Sequence, residues 1–448
     1  MPKIAFIHPD LGIGGAERLV VDAACGLQAL DNSVVAYTSH CDRSHCFDEI
    51  TDGELAVEVY GDWLPTTIAK RFHIVCAALR QLWLTLRLLT NGERYDYFIV
   101  DQLSYCLPLL KIFGGNARVV FYGHFPDQLL AQRGGTLKQL YRIPFDWFEQ
   151  WTTAWADKVV VNSKFTRSVF QKTFANCPEP LAVIYPCIND NQTIDVAAKT
   201  EIDEFFKDSD VFVSVNRFER KKNIELAIEA FAKFKKTHPQ KVRLVVAGGW
   251  DARVRENVMY LTELNQLCEK LKLTSFTIRG RLLMMPPSTD VLFLPSVSSK
   301  LKNALIDHAN ILLYTPSHEH FGIVPVEAMA LGTPVLAVNN GGPLESIVHF
   351  NQRDNLDVAT GFTVAPDVEE WASTLSNFYG YNTAVKSKLG ANGRERAQAM
   401  FTRSKMAKSF MEELRTTDAK SVTARVSAVV ILAALFVALV GFVVHRLT

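Results

Sequence analysis

Short hydrophobic runs alternate along the chain with longer stretches in which hydrophobic positions recur every three or four residues. The first run, KIAFIH at residues 3–8, precedes a helical pattern that begins near Gly15. Such runs are typical of strands buried in a parallel sheet, and the helical period is typical of the helices that connect them. The pattern therefore predicts an α/β fold with doubly wound parallel sheets.

The strand-like runs form two series, separated by residues 186–208, where apolar periodicity is weak. The first series is 3–8, 34–38, 97–101, 118–122, 158–162 and 181–185, and the second is 211–216, 243–247, 275–278, 311–314 and 334–338. We therefore expect two Rossmann-like domains, residues 1–190 and 205–395, that face a cleft and bind ligands at the carboxyl ends of their strands. An amphipathic pattern over 394–415 predicts a returning helix, assigned to residues 396–420.

The C-terminal segment differs because residues 426–444, VSAVVILAALFVALVGFVV, contain no charged side chain. A helix of this length, at ~1.5 Å per residue, spans about 28 Å, close to the ~30 Å of a hydrocarbon core. The segment predicts a transmembrane anchor. A buried core helix is the alternative, although such a helix is seldom apolar on every face. Basic residues flank both ends, so the charges alone do not fix the orientation.

Charge and cysteine content narrow the functional classes. The 48 Lys and Arg residues balance the 47 Asp and Glu residues to a net charge of +1, so we expect no nucleic-acid partner. The eight cysteines are scattered, which does not indicate a disulfide framework. The N-terminal apolar run ends at Pro9 and is too short for a signal peptide, so we expect residues 1–420 to stay in the cytosol.

Residues 66–90, TTIAKRFHIVCAALRQLWLTLRLLT, predict a helix with a very wide apolar face. Its basic residues Lys70, Arg71, Arg80 and Arg87 oppose a membrane-spanning orientation. Two alternatives remain. The helix is either buried against the first sheet or lies on the bilayer surface, where Arg80 and Arg87 would meet lipid head groups.

Basic residues follow the predicted strand at 211–216. Arg217 and Lys222 lie in a loop that leads to a helix beginning at Asn223, a favourable side-chain N-cap. Cations at the carboxyl end of a strand, beside a helix N-terminus, suit a diphosphate. A solvated basic turn is the alternative.

A glycine-rich loop, Gly12-Ile-Gly14-Gly15-Ala-Glu17, follows the first strand. Glu17 replaces the third glycine of a dinucleotide-binding fingerprint, and no acidic residue for a ribose follows the second strand. A nicotinamide cofactor is therefore not expected. The loop still suits close approach by a phosphate or sugar.

Histidines mark two further candidate positions. His124 follows the strand at 118–122, in YGHFPD, where it can hydrogen-bond a sugar hydroxyl or move a proton. A structural role is the alternative for a lone histidine. The dipeptides His40-Cys41 and His45-Cys46 match no zinc signature, so no metal site is expected.

The segment SHEHFGIVPVEAMALG, residues 317–332, places Glu319 and Glu327 around a Phe-Gly turn. Pro325 suits the first turn of a helix and Gly332 its end, which places Glu327 in the first turn. The amides of Phe321 and Gly322 can hold an anion. A carboxylate can accept both hydrogen bonds of a ribose diol. We therefore assign Glu327 to the ribose and Glu319 to the sugar of a nucleotide sugar. A favourable helix dipole is the alternative explanation for Glu327.

Together these motifs resemble those of the retaining GT-B glycosyltransferases of the large glycogen-synthase-like and mannosyltransferase family. The signatures that match are Glu-x7-Glu at Glu319 and Glu327, Arg-x4-Lys at Arg217 and Lys222, the Gly14-Gly15-Ala16-Glu17 loop and the Gly341-Gly342-Pro343 turn. The resemblance covers roughly residues 1–415. The common family form has glycine after the motif lysine, where this chain has Asn223.

Within that family, the chain is most similar to the dolichol-pathway α-1,3/α-1,6-mannosyltransferases of lipid-linked oligosaccharide assembly. The residues that carry this similarity are GHFPD at 123–127, NRFERKKN at 216–223 and the Ser-His-Cys repeat near 39–46. It implies transfer from GDP-mannose to mannosyl-chitobiosyl-diphosphodolichol, first α-1,3 and then α-1,6, on the cytosolic face of the endoplasmic reticulum membrane and without a cofactor. A complex with other enzymes of the pathway stays open. So do two alternatives, a GT-B lipid glycosyltransferase that uses a UDP-sugar and a non-catalytic nucleotide-binding membrane scaffold.

The implied chemistry is front-face transfer, in which the acceptor hydroxyl attacks on the side of the leaving diphosphate. Arg217 and Lys222 would neutralise the departing GDP, Glu319 would orient mannose hydroxyls, and His124 would contact the sugar. In the glycine-rich loop, Gly15 is assigned to the GDP-mannose donor and Gly14 to the acceptor. A glycosidase-like double displacement needs two carboxylates ~5–5.5 Å apart at one carbon. That geometry does not fit a Glu327 that faces the ribose. The two cations supply the positive potential, so no metal is expected.

Overall fold

The computed structural model describes residues 1–68, 72–130, 136–174, 177, 180–188, 194–238 and 242–419. The strands in these ranges are β1 (Lys3–His8), β2 (Ser33–Thr38), β3 (Ala56–Val59), β4 (Tyr97–Asp101), β5 (Arg118–Gly123), β6 (Lys158–Val161), β7 (Ala182–Val183), β8 (Asp210–Val215), β9 (Val242–Gly248), β10 (Ser275–Thr277), β11 (Val291–Pro295), β12 (Ile311–Tyr314), β13 (Val335–Val338) and β14 (Gly361–Val364). The helices are α1 (Gly15–Gln28), α2 (Asp48–Thr51), α3 (His73–Thr90), α4 (Leu107–Phe113), α5 (Asp127–Leu130), α6 (Thr136–Thr153), α7 (Lys164–Thr173), α8 (Val196–Phe205), α9 (Ile224–Thr237), α10 (Arg255–Lys270), α11 (Ser299–His308), α12 (Ile323–Leu331), α13 (Pro343–Ser346), α14 (Val368–Gly380), α15 (Thr383–Met400) and α16 (Arg403–Thr416), with a 3₁₀ turn at Arg220–Lys222.

The chain forms two compact units. Unit 1 contains residues 1–162 and 166–184 together with the C-terminal helical residues from Met406, and unit 2 contains residues 163–165 and 185–405. Each unit is built on its own seven-stranded sheet. Except between β10 and β11, a helix separates consecutive strands in both units, as the hydrophobic pattern predicts.

Unit 1 has the strand order β3-β2-β1-β4-β5-β6-β7, and its strands pair in parallel. The register sets His8 beside Thr38 on one side of β1 and Ile7 beside Val100 on the other. The strand order reverses between β1 and β4. In an open α/β sheet, the carboxyl edge at such a reversal is where ligands bind.

Unit 2 has the parallel strand order β10-β11-β9-β8-β12-β13-β14, and the order reverses between β8 and β12. Both faces of this sheet are covered. In β8, Val211, Val213 and Val215 pack in a cluster on one face, whereas Phe212 packs in a cluster on the other. A strand buried on both faces reads as a continuous apolar run, which is why the sequence pattern finds β8.

The sequence pattern misses β3, β11 and β14. β3 is an edge strand with mostly exposed side chains, so it lacks an apolar run. β11 is fully buried but follows β10 without an intervening helix, which a strict strand–helix alternation does not anticipate. β7 is only Ala182–Val183, shorter than the run predicted at 181–185.

The single amphipathic helix predicted at 394–415 is wrong, because α15 ends at Met400 and α16 begins at Arg403. The backbone leaves the helix at Phe401, whose carbonyl oxygen accepts the Ile188 N–H at 2.8 Å. The Thr402 hydroxyl then accepts the Lys405 N–H at 3.2 Å and so caps the new helix.

The transmembrane anchor predicted at 426–444 lies outside the described residues. Among the helices of the described ranges, none is both long and apolar enough to cross a membrane.

Candidate active site

The carboxyl ends of β8 and β12 bring two predicted site residues of unit 2 together. Lys222 ends the 3₁₀ turn after β8, and its Nζ donates to Oε1 of Glu319 in the loop after β12. Thr315 Oγ1 donates to the Lys222 carbonyl oxygen at 2.7 Å, which fixes the backbone of the lysine. The Lys222 and Glu319 side chains are 12% and 26% exposed, so a ligand can reach this pair.

Arg217 lies at the same strand end but outside this pair. Its side chain is 63% exposed, and its Nη1 is 3.1 Å from Oε1 of Glu219. An exposed ion pair of this kind contributes little free energy. A diphosphate could therefore draw the guanidinium away from Glu219 at small cost.

Asn223 precedes α9 with a left-handed backbone, which corrects the predicted side-chain N-cap. Its φ is 48°, its side chain makes no cap hydrogen bond, and the helix begins at Ile224. The Ile224 N–H donates instead to the Tyr260 hydroxyl at 2.9 Å. Glycine and asparagine are the residues that visit this backbone region most readily. Asn223 can therefore stand where the common family form has glycine.

Helix α12 begins earlier than predicted. Gly322 is the N-cap with φ 79°, Ile323 is the first helical residue, and Gly332 ends the helix as expected. Glu327 therefore lies in the second turn, and the first-turn prediction is wrong. The helix-dipole explanation for Glu327 weakens with it, because that effect falls off beyond the first turn. The partner of Glu327 is Lys302 of α11, whose Nζ donates to Oε2 at 2.6 Å.

The Gly341-Gly342 turn supports the loop that carries Glu319. Gly341 has φ 68°, and a Cβ at this position would lie 2.5 Å from the Glu319 carbonyl oxygen. The Gly342 N–H donates to that same oxygen at 2.8 Å. A Cβ on Gly342 would collide with the backbone of Phe321. Glycine is thus required for the close approach that fixes the loop.

Tyr314, the last residue of β12, is buried beside Glu319. Burial, the charge of Glu319 and a hydrogen bond to that carboxylate raise the pKa of Tyr314 well above its usual value. The phenol therefore stays neutral and donates to Glu319. Lys222 and Tyr314 together orient the predicted sugar-binding carboxylate.

The carboxyl ends of β1, β4 and β5 carry a second cluster, in unit 1. His8 Nδ1 is 2.7 Å from Oδ2 of Asp101, and His124 Nε2 is 2.8 Å from Oδ1 of Asp101. The His8 Nε2 atom is 4.0 Å from Oε1 of Glu17. The side chains of His8 and Asp101 are 1% exposed, whereas that of His124 is 19% exposed. Of the two histidines that bind the Asp101 carboxylate, His124 is the one that a ligand can touch.

The pKa values of His8 and Asp101 are shifted in opposite directions. Burial alone would lower the pKa of His8, but its hydrogen bond to Asp101 and the nearby carboxylates of Asp101 and Glu17 raise it to about 9. Burial alone would raise the pKa of Asp101, but attraction and hydrogen bonding to His124 and His8 lower it to about 2. At neutral pH the core of the cluster is therefore an imidazolium paired with a carboxylate.

In the glycine-rich loop after β1, Gly14 and Gly15 lie in different surroundings. A Cβ on Gly14 would collide with the Glu17 carboxylate, whereas a Cβ on Gly15 would meet nothing within 4 Å. Gly14 therefore makes room for Glu17, and the space beside Gly15 is open to a ligand. Their assignments to acceptor and donor stay predictions.

The predicted lipid contact of Arg80 is wrong. Arg80 is 8% exposed, and its guanidinium donates to the carbonyl oxygens of Ser39 at 2.9 Å and Leu64 at 3.0 Å. Its Nη2 also lies 3.5 Å from Oδ1 of Asp62, so the guanidinium is bound within the protein. Arg87 is exposed and lies 5.8 Å from the ring centre of Tyr60, so its assignment stays a prediction.

The His-Cys repeat of unit 1 does not assemble a metal site. His40 Nδ1 is 2.8 Å from Oδ1 of Asp62. Burial and the neighbouring Cys46 thiol raise the pKa of Cys41 to about 11, which disfavours the thiolate that binds metal. Within the described part of the chain, no group of three or more His, Cys, Asp or Glu residues could hold a metal ion.

The sequence interpretation missed four residues of these two clusters, namely His8, Asp101, Tyr314 and Lys302. The first three share a signal, because each is the last residue of an apolar strand run that ends at the ligand-binding edge. Lys302 carries no such signal, since it is one of two lysines in a helical pattern.

Two family models match consecutive parts of the chain. The model of Glycosyltransferase Family 4 matches residues 13–192, and that of Glycosyl transferases group 1 matches residues 196–396. The alpha-1,3/1,6-mannosyltransferase ALG2 of Debaryomyces hansenii is 56% identical over 93% of this chain and 91% of its own length. The protein of the same name from Candida albicans is 53% identical over 91% of this chain and 97% of its own.

Among solved structures, the sucrose-phosphate synthase of Thermosynechococcus elongatus superposes with a TM-score of 0.70 at 20% identity. The match covers 93% of this chain and 98% of the synthase. At that identity the likeness shows the fold alone. The identity to the two fungal enzymes, which extends over nine-tenths of the chain, shows more: this chain belongs to the α-1,3/1,6-mannosyltransferase family of glycosyltransferases.

Proposed function

We propose that the chain transfers mannose from GDP-mannose, with retention at the anomeric carbon, to mannosyl-chitobiosyl-diphosphodolichol. The first transfer makes an α-1,3 linkage and the second an α-1,6 linkage, the two that the names of its relatives carry. The reaction takes place on the cytosolic face of the endoplasmic reticulum membrane. The donor, the acceptor and the location rest on the family resemblance of the motifs.

The observation that carries this proposal is the contact of Lys222 with Glu319 where β8 and β12 end. In a nucleotide sugar, the diphosphate is attached to the anomeric carbon, and hydroxyls are attached to nearby carbons of the same ring. A lysine and a carboxylate already in contact match this pattern, because Lys222 can turn to the diphosphate while Glu319 accepts a mannose hydroxyl. Arg217 is exposed at the same strand end and adds a planar donor for the phosphate oxygens.

Glu327 is suited to the ribose. Lys302 binds its Oε2 at 2.6 Å and so orients the carboxylate. A carboxylate has about four lone-pair sites, and Oε1 can accept a ribose hydroxyl while Oε2 stays with Lys302. Because Glu327 is engaged in this way, the proposed reaction has no enzymic nucleophile.

The proposed step is front-face displacement. The acceptor hydroxyl bonds to the anomeric carbon as the bond to the GDP oxygen breaks, and its proton passes to the leaving diphosphate. Lys222 and Arg217 stabilise the charge that develops on the diphosphate. Glu319 and the amides of Phe321 and Gly322 hold the sugar, and His124 keeps its predicted contact with a sugar hydroxyl. No metal takes part.

The surface of α3 supports a lipid-borne acceptor. Leu79, Trp83 and Leu86 form an exposed apolar face on this helix. Exposed Trp63 packs edge-on against Trp83 with 5.4 Å between ring centres. Tryptophan on an apolar helix face is typical of surfaces that lie at a membrane interface.

The deciding experiment incubates the full-length protein in detergent with a synthetic mannosyl-chitobiosyl-diphosphate lipid. GDP-mannose is compared with UDP-glucose and UDP-N-acetylglucosamine, and the products are analysed by mass and by linkage-specific mannosidases. We expect one and then two hexoses to be added from GDP-mannose alone, with or without EDTA. Transfer only from a UDP-sugar, or GDP-mannose binding without turnover, would replace this proposal by one of the two alternatives.

A matched pair of variants tests the diphosphate assignment. Lys222→Ala removes the proposed contact, whereas Lys221→Ala removes an adjacent lysine whose side chain is 64% exposed and paired with Glu219. We expect the first variant to lose transfer and the second to retain it. Equal activity of the two would refute the role of Lys222.

A further inference from the structure

The His8–Asp101–His124 cluster is buried at His8 and partly exposed at His124. We propose that Asp101, together with His8, is a positioning residue that fixes the tautomer and orientation of His124. This inference rests on the transfer reaction proposed above, in which His124 contacts the sugar.

The topology brings the three side chains to one edge. β1, β4 and β5 are consecutive in the sheet. His8 is the last residue of β1, Asp101 is the last residue of β4, and His124 follows β5 directly. Since the strands are parallel, these three positions share the carboxyl edge at the switch point. No loop rearrangement is needed to form the cluster.

The hydrogen-bond chemistry then determines the tautomers. An ionised carboxylate only accepts hydrogen bonds. Both nitrogens that face Asp101, Nδ1 of His8 and Nε2 of His124, must therefore carry a proton. The Nδ1 atom of His124 is the nitrogen left to face a ligand, as an acceptor when the ring is neutral and as a donor when it is charged.

His8 fixes the orientation of the Asp101 carboxylate. His8 faces Asp101 from β4 and Glu17 from α1, whereas His124 faces Asp101 and the ring of Tyr122 at 5.2 Å. Because His8 binds Oδ2 of Asp101, the other oxygen, Oδ1, is held toward His124. His8 therefore acts on His124 through the position of the carboxylate.

The test is a double-mutant cycle on kcat and on KM for GDP-mannose, with Asp101→Asn, His124→Gln and the double variant. If Asp101 acts through His124, Asp101→Asn should lower kcat roughly 10- to 100-fold in the parent, as expected for a misplaced hydrogen bond. In a chain that already carries His124→Gln, Asp101→Asn should lower kcat by less than about threefold. Effects that multiply in the double variant would overturn the proposal, because they would mean that Asp101 acts independently of His124.

Asp157→Asn is the matched control. Asp157 is also a buried aspartate of unit 1 and accepts from Lys111 Nζ at 2.7 Å and from the Val119 N–H at 2.8 Å. It precedes β6 and therefore lies at the opposite edge of the sheet. Its substitution should lower stability, and its effect on kcat should be the same with and without His124. Coupling to His124 as strong as that of Asp101 would indicate a general loss of packing and refute a specific role.

A second variant gives a result even if Asp101→Asn does not fold. His8→Asn keeps an N–H near Asp101 but removes the positive charge. We expect His8→Asn to lower kcat in the parent and to have little further effect in a chain that already carries His124→Gln. An effect of His8→Asn on kcat that is equally large with and without His124 would overturn the role of His8. Absence of mannose transfer by the parent and by Asp157→Asn would instead refute the proposed function.

Discussion

Substituting His8 should change the way in which the stability of unit 1 depends on pH. His8 is 1% exposed and is held by Asp101, which raises its pKa from 6.5 to about 9. A histidine whose pKa rises on folding stabilises the folded state through its protonated form. His8→Asn removes the titrating group and keeps a neutral donor for the Asp101 carboxylate.

The magnitude follows from the two pKa values. The step from 6.5 to about 9 corresponds to about 3 kcal/mol, at ~1.4 kcal/mol for each pH unit. Below about pH 6.5 the ring is charged in both the folded and unfolded chains, and the contribution is complete. Between these values the unfolded chain loses the proton first. The contribution therefore declines and is gone above about pH 9.

The assay is urea unfolding of the parent and His8→Asn between about pH 6 and pH 10. It is followed by tryptophan fluorescence, with hydrogen exchange of β1 and β4 to assign the transition to unit 1. We expect the difference in free energy of unfolding between the two proteins to shrink by about 3 kcal/mol across this range. Any packing cost of the substitution is a constant offset and does not affect the slope. A difference that is flat or that grows with pH would refute the charged His8–Asp101 pair.

Four further outcomes follow from the geometry. Asp101→Asn should change the pH dependence of stability at acid pH. The lowered pKa of Asp101, about 2, means that its carboxylate stabilises the folded state above about pH 4 and loses this contribution on acidification. In acid unfolding, the difference in stability between parent and variant should therefore shrink as the pH falls. Lys222→Ala should lower kcat/KM by roughly 10²- to 10³-fold, as for loss of one oxyanion donor, while Lys221→Ala stays within about twofold of the parent, measured with GDP-mannose. Gly341→Ala should abolish transfer and lower the melting temperature, since its Cβ would lie 2.5 Å from the Glu319 carbonyl oxygen. Gly53→Ala, with a similar φ of 78° and open space around it, should cost only the ~1–2 kcal/mol of a left-handed backbone. Asn223→Gly should be tolerated, whereas Asn223→Ser should lower the melting temperature. If the glycine variant were the less stable of the two, Asn223 would act as a side-chain cap after all.

The sequence predicts the positions of the site better than it predicts the contacts within it. Arg217, Lys222, Glu319 and His124 all lie just beyond strand ends, as the apolar runs require. The pairing of Lys222 with Glu319 was not predicted, because it depends on how the loops after β8 and β12 close over the switch point. Those loops are separated by 97 positions in the sequence, and no local pattern encodes their distance.

Helix starts are the other point at which the sequence misleads. Pro325 favours a first-turn position, yet α12 begins at Ile323 because Gly322 adopts φ 79°. Asn223 has the composition of a side-chain cap, yet φ 48° turns its side chain away from the helix amides. In both cases a left-handed residue sets the start.

The two charged pairs differ in burial, and this difference indicates different roles. His8 and Asp101 are each 1% exposed, so separating them would leave an unpaired charge in a medium of low dielectric, at a cost of several kcal/mol. That pair is therefore a fixed support. Lys222 and Glu319 are 12% and 26% exposed. An incoming diphosphate would replace the carboxylate as the partner of Lys222, so the lysine would not be left unpaired. Exchange of partners is consequently feasible in unit 2 and not in unit 1. It follows that raising the ionic strength should weaken GDP-mannose binding while leaving the His8–Asp101 pair intact, because salt screens accessible charges much more than buried ones.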